Sequence, residues 1–142
     1  MKLLFDGICL RYALLLLGLV SAQSSDADLQ KLQGKWNIEA FDYNGNPVES
    51  MKQAVREFKD AKYTLMPKMG DVIEGTMKID AAKKPKEIDL EVAGRTLKGI
   101  YEIDGDTLKL SYSLTGGERP TEFASKPDSG TTLIVHKRAK PE

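Results

Sequence analysis

Cysteine, histidine and tryptophan each occur once in the 142 residues, as Cys9, His136 and Trp36. A lone histidine makes a His-rich zinc centre impossible, and no thiol pairs with it once Cys9 is assigned to a leader, as argued below. No Gly-x-Ser-x-Gly elbow supports a serine hydrolase, and no glycine-rich loop offers to cradle a phosphate. Charge of one sign is also missing: 21 basic residues face 21 acidic ones, well interspersed. That balance excludes electrostatic capture of nucleic acid. There is no Asn-x-Ser/Thr sequon, linker or repeat. These absences predict no cofactor, no metal and no enzymatic activity.

Long apolar runs are scarce as well, and the one at the start is short. Lys2 and Arg11 flank a beginning that leads into Ala13–Val20, an uncharged stretch too short for a bilayer span of about 20 residues. Val20-Ser21-Ala22 then sets small residues at the −3 and −1 positions of a cleavage site before Gln23. Residues 1–22 are therefore expected to be a signal peptide, with no membrane span once it is cleaved. The expected address is secreted or periplasmic. Removing 22 of 142 residues leaves 120 (23–142), a length suited to one domain with a real core. Cys9 leaves with the leader, so packing alone must stabilise the exported chain.

What is present is alternation. Leu97, Tyr101 and Ile103 alternate with Lys98 and Glu102; the chain turns at Asp104-Gly105-Asp106; Leu108, Leu110, Tyr112 and Leu114 then alternate with Lys109, Ser111 and Ser113. Period two buries one face of each strand. The same reading gives strands over 35–43, 54–58, 62–66, 72–79, 87–92 and 131–138, with helical turns at 28–33 and 49–53. About eight strands, joined locally, predict a small antiparallel up-and-down barrel, with a two-sheet sandwich as the alternative. The expected core is Trp36, Ile38, Ile73, Ile79, Ile88, Leu90, Tyr101, Leu108, Leu110 and Leu133, with Ala40 on the side of Trp36. His136 falls opposite Leu133 and Val135 and is expected to face solvent. Gly34, Trp36 and Gly105 are read as structural.

Five segments occur in order: Asp28-Leu-Gln-Lys-Leu-Gln-Gly-Lys-Trp36, Asn44-Gly-Asn-Pro-Val48, Lys84-Pro-Lys-Glu-Ile-Asp-Leu90, Gly99-Ile-Tyr-Glu-Ile-Asp-Gly-Asp-Thr-Leu-Lys109 and Arg119-Pro-Thr-Glu-Phe123. Together they resemble a family of small exported bacterial domains of unknown function, expanded in planctomycetes and described as lipocalin-like. The resemblance runs from about Asp28 to Arg138. It implies a small barrel at or beyond the membrane, and no activity. Gly34-Lys35-Trp36 is also similar to the Gly-x-Trp that opens lipocalin barrels, where a basic residue near the last strand packs over the tryptophan. Lys137 and Arg138 both meet that description.

Two functions fit such a barrel. A solid-cored exported domain would engage a protein partner or the cell envelope with its outer surface. Alternatively, the barrel would hold a small apolar or amphiphilic ligand. In the ligand reading Arg119 and Phe123 rim the open end, Tyr101 and Tyr112 line the inside, and the Arg119 guanidinium holds an anionic head group. In the structural reading Phe123 plugs the barrel, the tyrosines fill the core, and Arg119 pairs with Glu118 or Glu122. Lys83-Lys84-Pro85-Lys86 and the Glu87, Asp89, Glu91 face are read as a solvated turn and the wet side of a sheet.

Overall fold

The computed structural model describes residues 25–140; the expected leader and its cleavage site lie outside the described residues. A helix, α1 (25–32), leads into nine strands. These are β1 (Gly34–Tyr43), β2 (Asn46–Pro47), β3 (Val55–Lys59), β4 (Lys62–Met66), β5 (Ile73–Asp80), β6 (Glu87–Val92), β7 (Arg95–Asp104), β8 (Thr107–Tyr112) and β9 (Thr132–Arg138). From β3 to β9 each strand pairs antiparallel with the next in sequence, and β1 pairs with both β3 and β9. Eight strands thus close into a barrel, with β2 a two-residue addition to β1. The sandwich alternative is excluded by the β1–β9 ladder, which runs from Trp36↔Arg138 to Tyr43↔Thr132.

Closure rests on a bulge. The β1–β9 register shifts between Ile38 and Ala40, so the inward series is Trp36, Ile38, Phe41 rather than Trp36, Ile38, Ala40. One extra residue there reverses the parity of everything beyond it. Gly34 (φ +106°) turns the chain from α1 into β1, and Gly105 (φ +58°) sits in the β7–β8 hairpin, both in the region that L side chains avoid.

Gly75 serves by its size. A Cβ there would lie 2.2 Å from the Glu91 carbonyl oxygen and 2.7 Å from the Tyr63 ring. Gly75→Ala should therefore destabilise the barrel by about 1–3 kcal/mol through forced backbone movement. Chemical denaturation would show it; an unchanged midpoint would mean that β5 and β6 separate freely.

One end of the barrel is closed by α1. Leu32 is completely buried, and its carbonyl accepts the Trp36 Nε1–H at 2.9 Å. Asp28 Oδ2 accepts hydrogen bonds from Tyr101 Oη and Lys86 Nζ, each at 2.8 Å. Burial alone would raise the Asp28 carboxyl; the donors from Lys86 and Tyr101 outweigh it and hold it below its usual value. Over the same end, the Arg138 guanidinium carbon lies 4.1 Å from the Trp36 ring centroid. Arg138 also donates to the carbonyls of Gln33 (3.1 Å) and Lys31 (2.6 Å). Of the two basic candidates for that stack, Arg138 occupies it.

The expected core needs three changes. Ile73 is 40% exposed, Ile79 is half-buried, and Leu133 points outward. In β9 the inward residues are Thr132, Ile134 and His136, not Leu133 and Val135. The outward pair is itself half-buried, so aliphatics occur on both faces of β9, and the polar Thr132 and His136 on the inner face give the alternation a misleading phase.

Candidate functional site

His136 is completely buried inside the barrel, which corrects its expected solvent-facing place. It meets Arg56, whose side chain is 99% hidden from solvent (1% exposed). Arg56 shares parity with Phe58 on β3 and with Ala54 just before it, so the strand pattern did carry the signal that it turns inward. Arg56 Nε donates to His136 Nε2 at 3.1 Å, and Nη2 donates to Tyr112 Oη at 3.3 Å. The guanidinium carbon lies 5.7 Å from the Tyr63 ring centroid and 6.0 Å from that of Tyr112. β3, β4, β8 and β9 thus deliver one arginine, one histidine and two tyrosines to a single buried point.

The proton inventory of this cluster follows from its geometry. Because Nε2 of His136 accepts from Arg56, the ring proton sits on Nδ1, which donates to the Leu108 carbonyl at 3.0 Å. Burial, reinforced by the Arg56 charge, holds the imidazole well below its usual pKa, so it is neutral. Burial also pushes the Tyr63 phenol up to about 12 against the opposing pull of Arg56. The arginine is therefore the one charge here. Among the described residues no carboxylate lies within ion-pairing distance of it. A buried cation with only neutral partners is costly, several kcal/mol before compensation.

Of the four residues expected at a ligand mouth, Tyr101 and Phe123 border one surface groove, while Tyr112 and Arg119 lie elsewhere. Tyr101 is buried with its hydroxyl on Asp28 of α1, while the Tyr112 hydroxyl lies on Arg56. Burial and the Asp28 hydrogen bond raise the Tyr101 phenol far above its usual value. Arg119 lies on the outer wall of the barrel. It donates to the carbonyls of Ile88 (3.2 Å) and Gly99 (2.7 Å), and Nη2 sits 2.7 Å from Asp89 Oδ1. Its Nε is 3.6 Å from Glu87. The partners are Glu87 and Asp89 of β6, not Glu118 or Glu122; Glu122 pairs with Lys126 instead.

Phe123 is half-buried outside the barrel, in a surface groove of about 610 Å³ beside Lys83, Pro85 and Glu102. The segment from Glu118 to Ser125 therefore straps the β6–β8 wall and covers Ile100 and Ser111, which point outward yet are buried. Arg119→Ala should lower the unfolding free energy by about 1–2 kcal/mol, discounted for its partial exposure. Urea denaturation measures this, and an unmoved curve would free Arg119 for a ligand.

No helix among the described residues is long and apolar enough to cross a membrane. Comparison with family models, with curated proteins and with solved structures finds no match.

Proposed function

We propose that this chain is an exported, lipocalin-like, non-enzymatic module that works by recognition through its outer surface. The observation that carries this reading is the filling of the barrel axis. Trp36, Arg56, Phe58, Tyr101, Leu108, Leu110 and Ile134 project inward, each at most 1% exposed. Side chains of this size fill the interior of an eight-stranded barrel, where a ligand-carrying barrel keeps a cavity. The Arg138–Trp36 stack and the α1 plug support the lipocalin-like part of the reading. The leader read in residues 1–22 supports export to a secreted or periplasmic address.

Among the described residues, the large apolar side chains that stay exposed lie together. Met69 and Val72 of the β4–β5 connection and Ile73, which opens β5, stand 88%, 55% and 40% exposed. Clustered exposed apolar groups mark contact surfaces more often than scattered ones do. A photo-crosslinker at position 69, placed in the native host, should trap a discrete partner that the same probe at Lys109 on β8 does not.

Native mass spectrometry of protein from its host tests the whole reading. The expected result is a mass starting at Gln23, with no stoichiometric lipid and no saturable uptake of a fluorescent fatty acid. A mass starting at Met1 overturns export, and a bound lipid overturns the solid barrel. One observation favours a second, narrower reading: the unpaired buried charge of Arg56 suits a small anion.

A further inference from the structure

The Arg56 cluster is rich in donors and poor in acceptors. A guanidinium carries five N–H donors. One goes to His136 and one to Tyr112. The other three, and the O–H groups of Tyr112 and Tyr63, have no acceptor among the described residues, although these three side chains are at most 3% exposed. Arg56 Nη1 and Tyr63 Oη are without a hydrogen-bond partner among the described residues, so free donors from β3 and β4 meet at one buried point.

We propose that this cluster of free donors is a binding site for a single carboxylate group, held end-on by the Nη1 and Nη2 edge of Arg56 and by the hydroxyls of Tyr63 and Tyr112. The chemistry matches on three counts. The edge of a guanidinium presents parallel N–H groups at the spacing of carboxylate oxygens. A carboxylate is acceptor-only, which is what the free donors lack. Its charge neutralises Arg56 where water cannot, removing the cost of the isolated cation. His136 takes no part in holding the anion. It fixes the guanidinium through Nε, and is itself fixed by Leu108, so the open edge is aimed away from β9. The filled axis favours a short acid over a long-chain one.

Thermal unfolding of the purified protein at pH 7.5 and constant ionic strength, titrated with formate, acetate and laurate, tests the site. Formate and acetate should each raise the midpoint saturably. Tyr63→Phe, which removes one donor and little volume, should weaken both by about tenfold or more. Arg56→Met should abolish the rise; if that variant does not fold, Tyr63→Phe still decides.

The lack of a saturable rise with any acid overturns the site. A rise unchanged in Tyr63→Phe places the anion elsewhere and overturns it too. Laurate binding at least a hundredfold tighter than acetate, and lost in the same variants, retains the carboxylate site but overturns the solid-barrel reading of function.

Discussion

Trp36→Ala should lower the unfolding free energy by about 3–5 kcal/mol, a large part of what a domain of this size has. Three separate losses sum at this residue. Its ring is completely buried, so truncation leaves a cavity in a core that relaxes only partly. Its Nε1–H is the donor that meets the Leu32 carbonyl at 2.9 Å and ties α1 to the barrel end. Its face lies under Arg138, 4.1 Å from ring centroid to guanidinium carbon, which in turn holds the Gln33 and Lys31 carbonyls. Removing the ring therefore loosens α1, β1 and the end of β9 together.

Circular dichroism in urea is the measurement, because Trp36 is the sole tryptophan and its fluorescence leaves with it. Trp36→Phe keeps most of the packing and loses the donor, and should cost about 1 kcal/mol beyond the volume change. A shift below 1 kcal/mol for the alanine variant would mean that α1 and Arg138 hold the barrel end without the ring.

Much of this architecture was legible as alternation, and the failures are where alternation is ambiguous. β6, β7 and β8 could be read directly, since Ile88, Leu90, Tyr101, Leu108 and Leu110 alternate with charged residues and bury as expected. The β3–β4 and β7–β8 turns fall where turn residues interrupt the pattern. β9 was misread because Leu133 and Val135 look more apolar than Thr132 and His136, though parity is set by pairing with β1 and β8. Ala40 was misplaced because a bulge leaves no mark in a single sequence. Ile73 begins β5 beyond the last rung shared with β6 and so has a neighbouring strand on one side alone.

The cluster of Arg56, His136, Tyr63 and Tyr112 went unseen for a different reason. Arginine and histidine are presumed exposed, so the inward parity that Arg56 shares with Phe58 on β3 carries little weight, and that of His136 shows only when β9 is paired. Arg119 has no partner that the sequence pattern reveals, and the structure gives it two carbonyl acceptors and two carboxylate ion-pair partners on the outer wall.

Acid should destabilise this protein well above the pH at which carboxylates protonate, and His136 is the reason. In the folded barrel burial and then the Arg56 charge hold its pKa well below the ordinary value, whereas in the unfolded chain it titrates near 6.5. Between the folded and unfolded pKa values the unfolded chain binds one more proton. The stabilisation is therefore complete above about pH 6.5 and is lost as pH falls, by up to about 1.4 kcal/mol per unit. Every group facing the ring acts in the same direction or not at all: Arg56 from β3 repels the imidazolium, Tyr112 from β8 and Tyr63 from β4 are neutral, and the Leu108 carbonyl is already satisfied. Asp28, held low by Lys86 and Tyr101, contributes its own loss only below about pH 4.

Because there is a single histidine, no other side chain of ordinary pKa titrates between pH 5 and 6.5, and the slope in that window belongs to His136. Urea denaturation should lose about 2 kcal/mol between those limits. His136→Gln, which keeps an acceptor for Arg56 and cannot take up the proton, should flatten the profile while lowering stability at pH 7.5. Parallel profiles for the two proteins would show that the imidazole is reached by water in the folded state, and would remove the sealed Arg56–His136 contact on which the aim of the guanidinium depends.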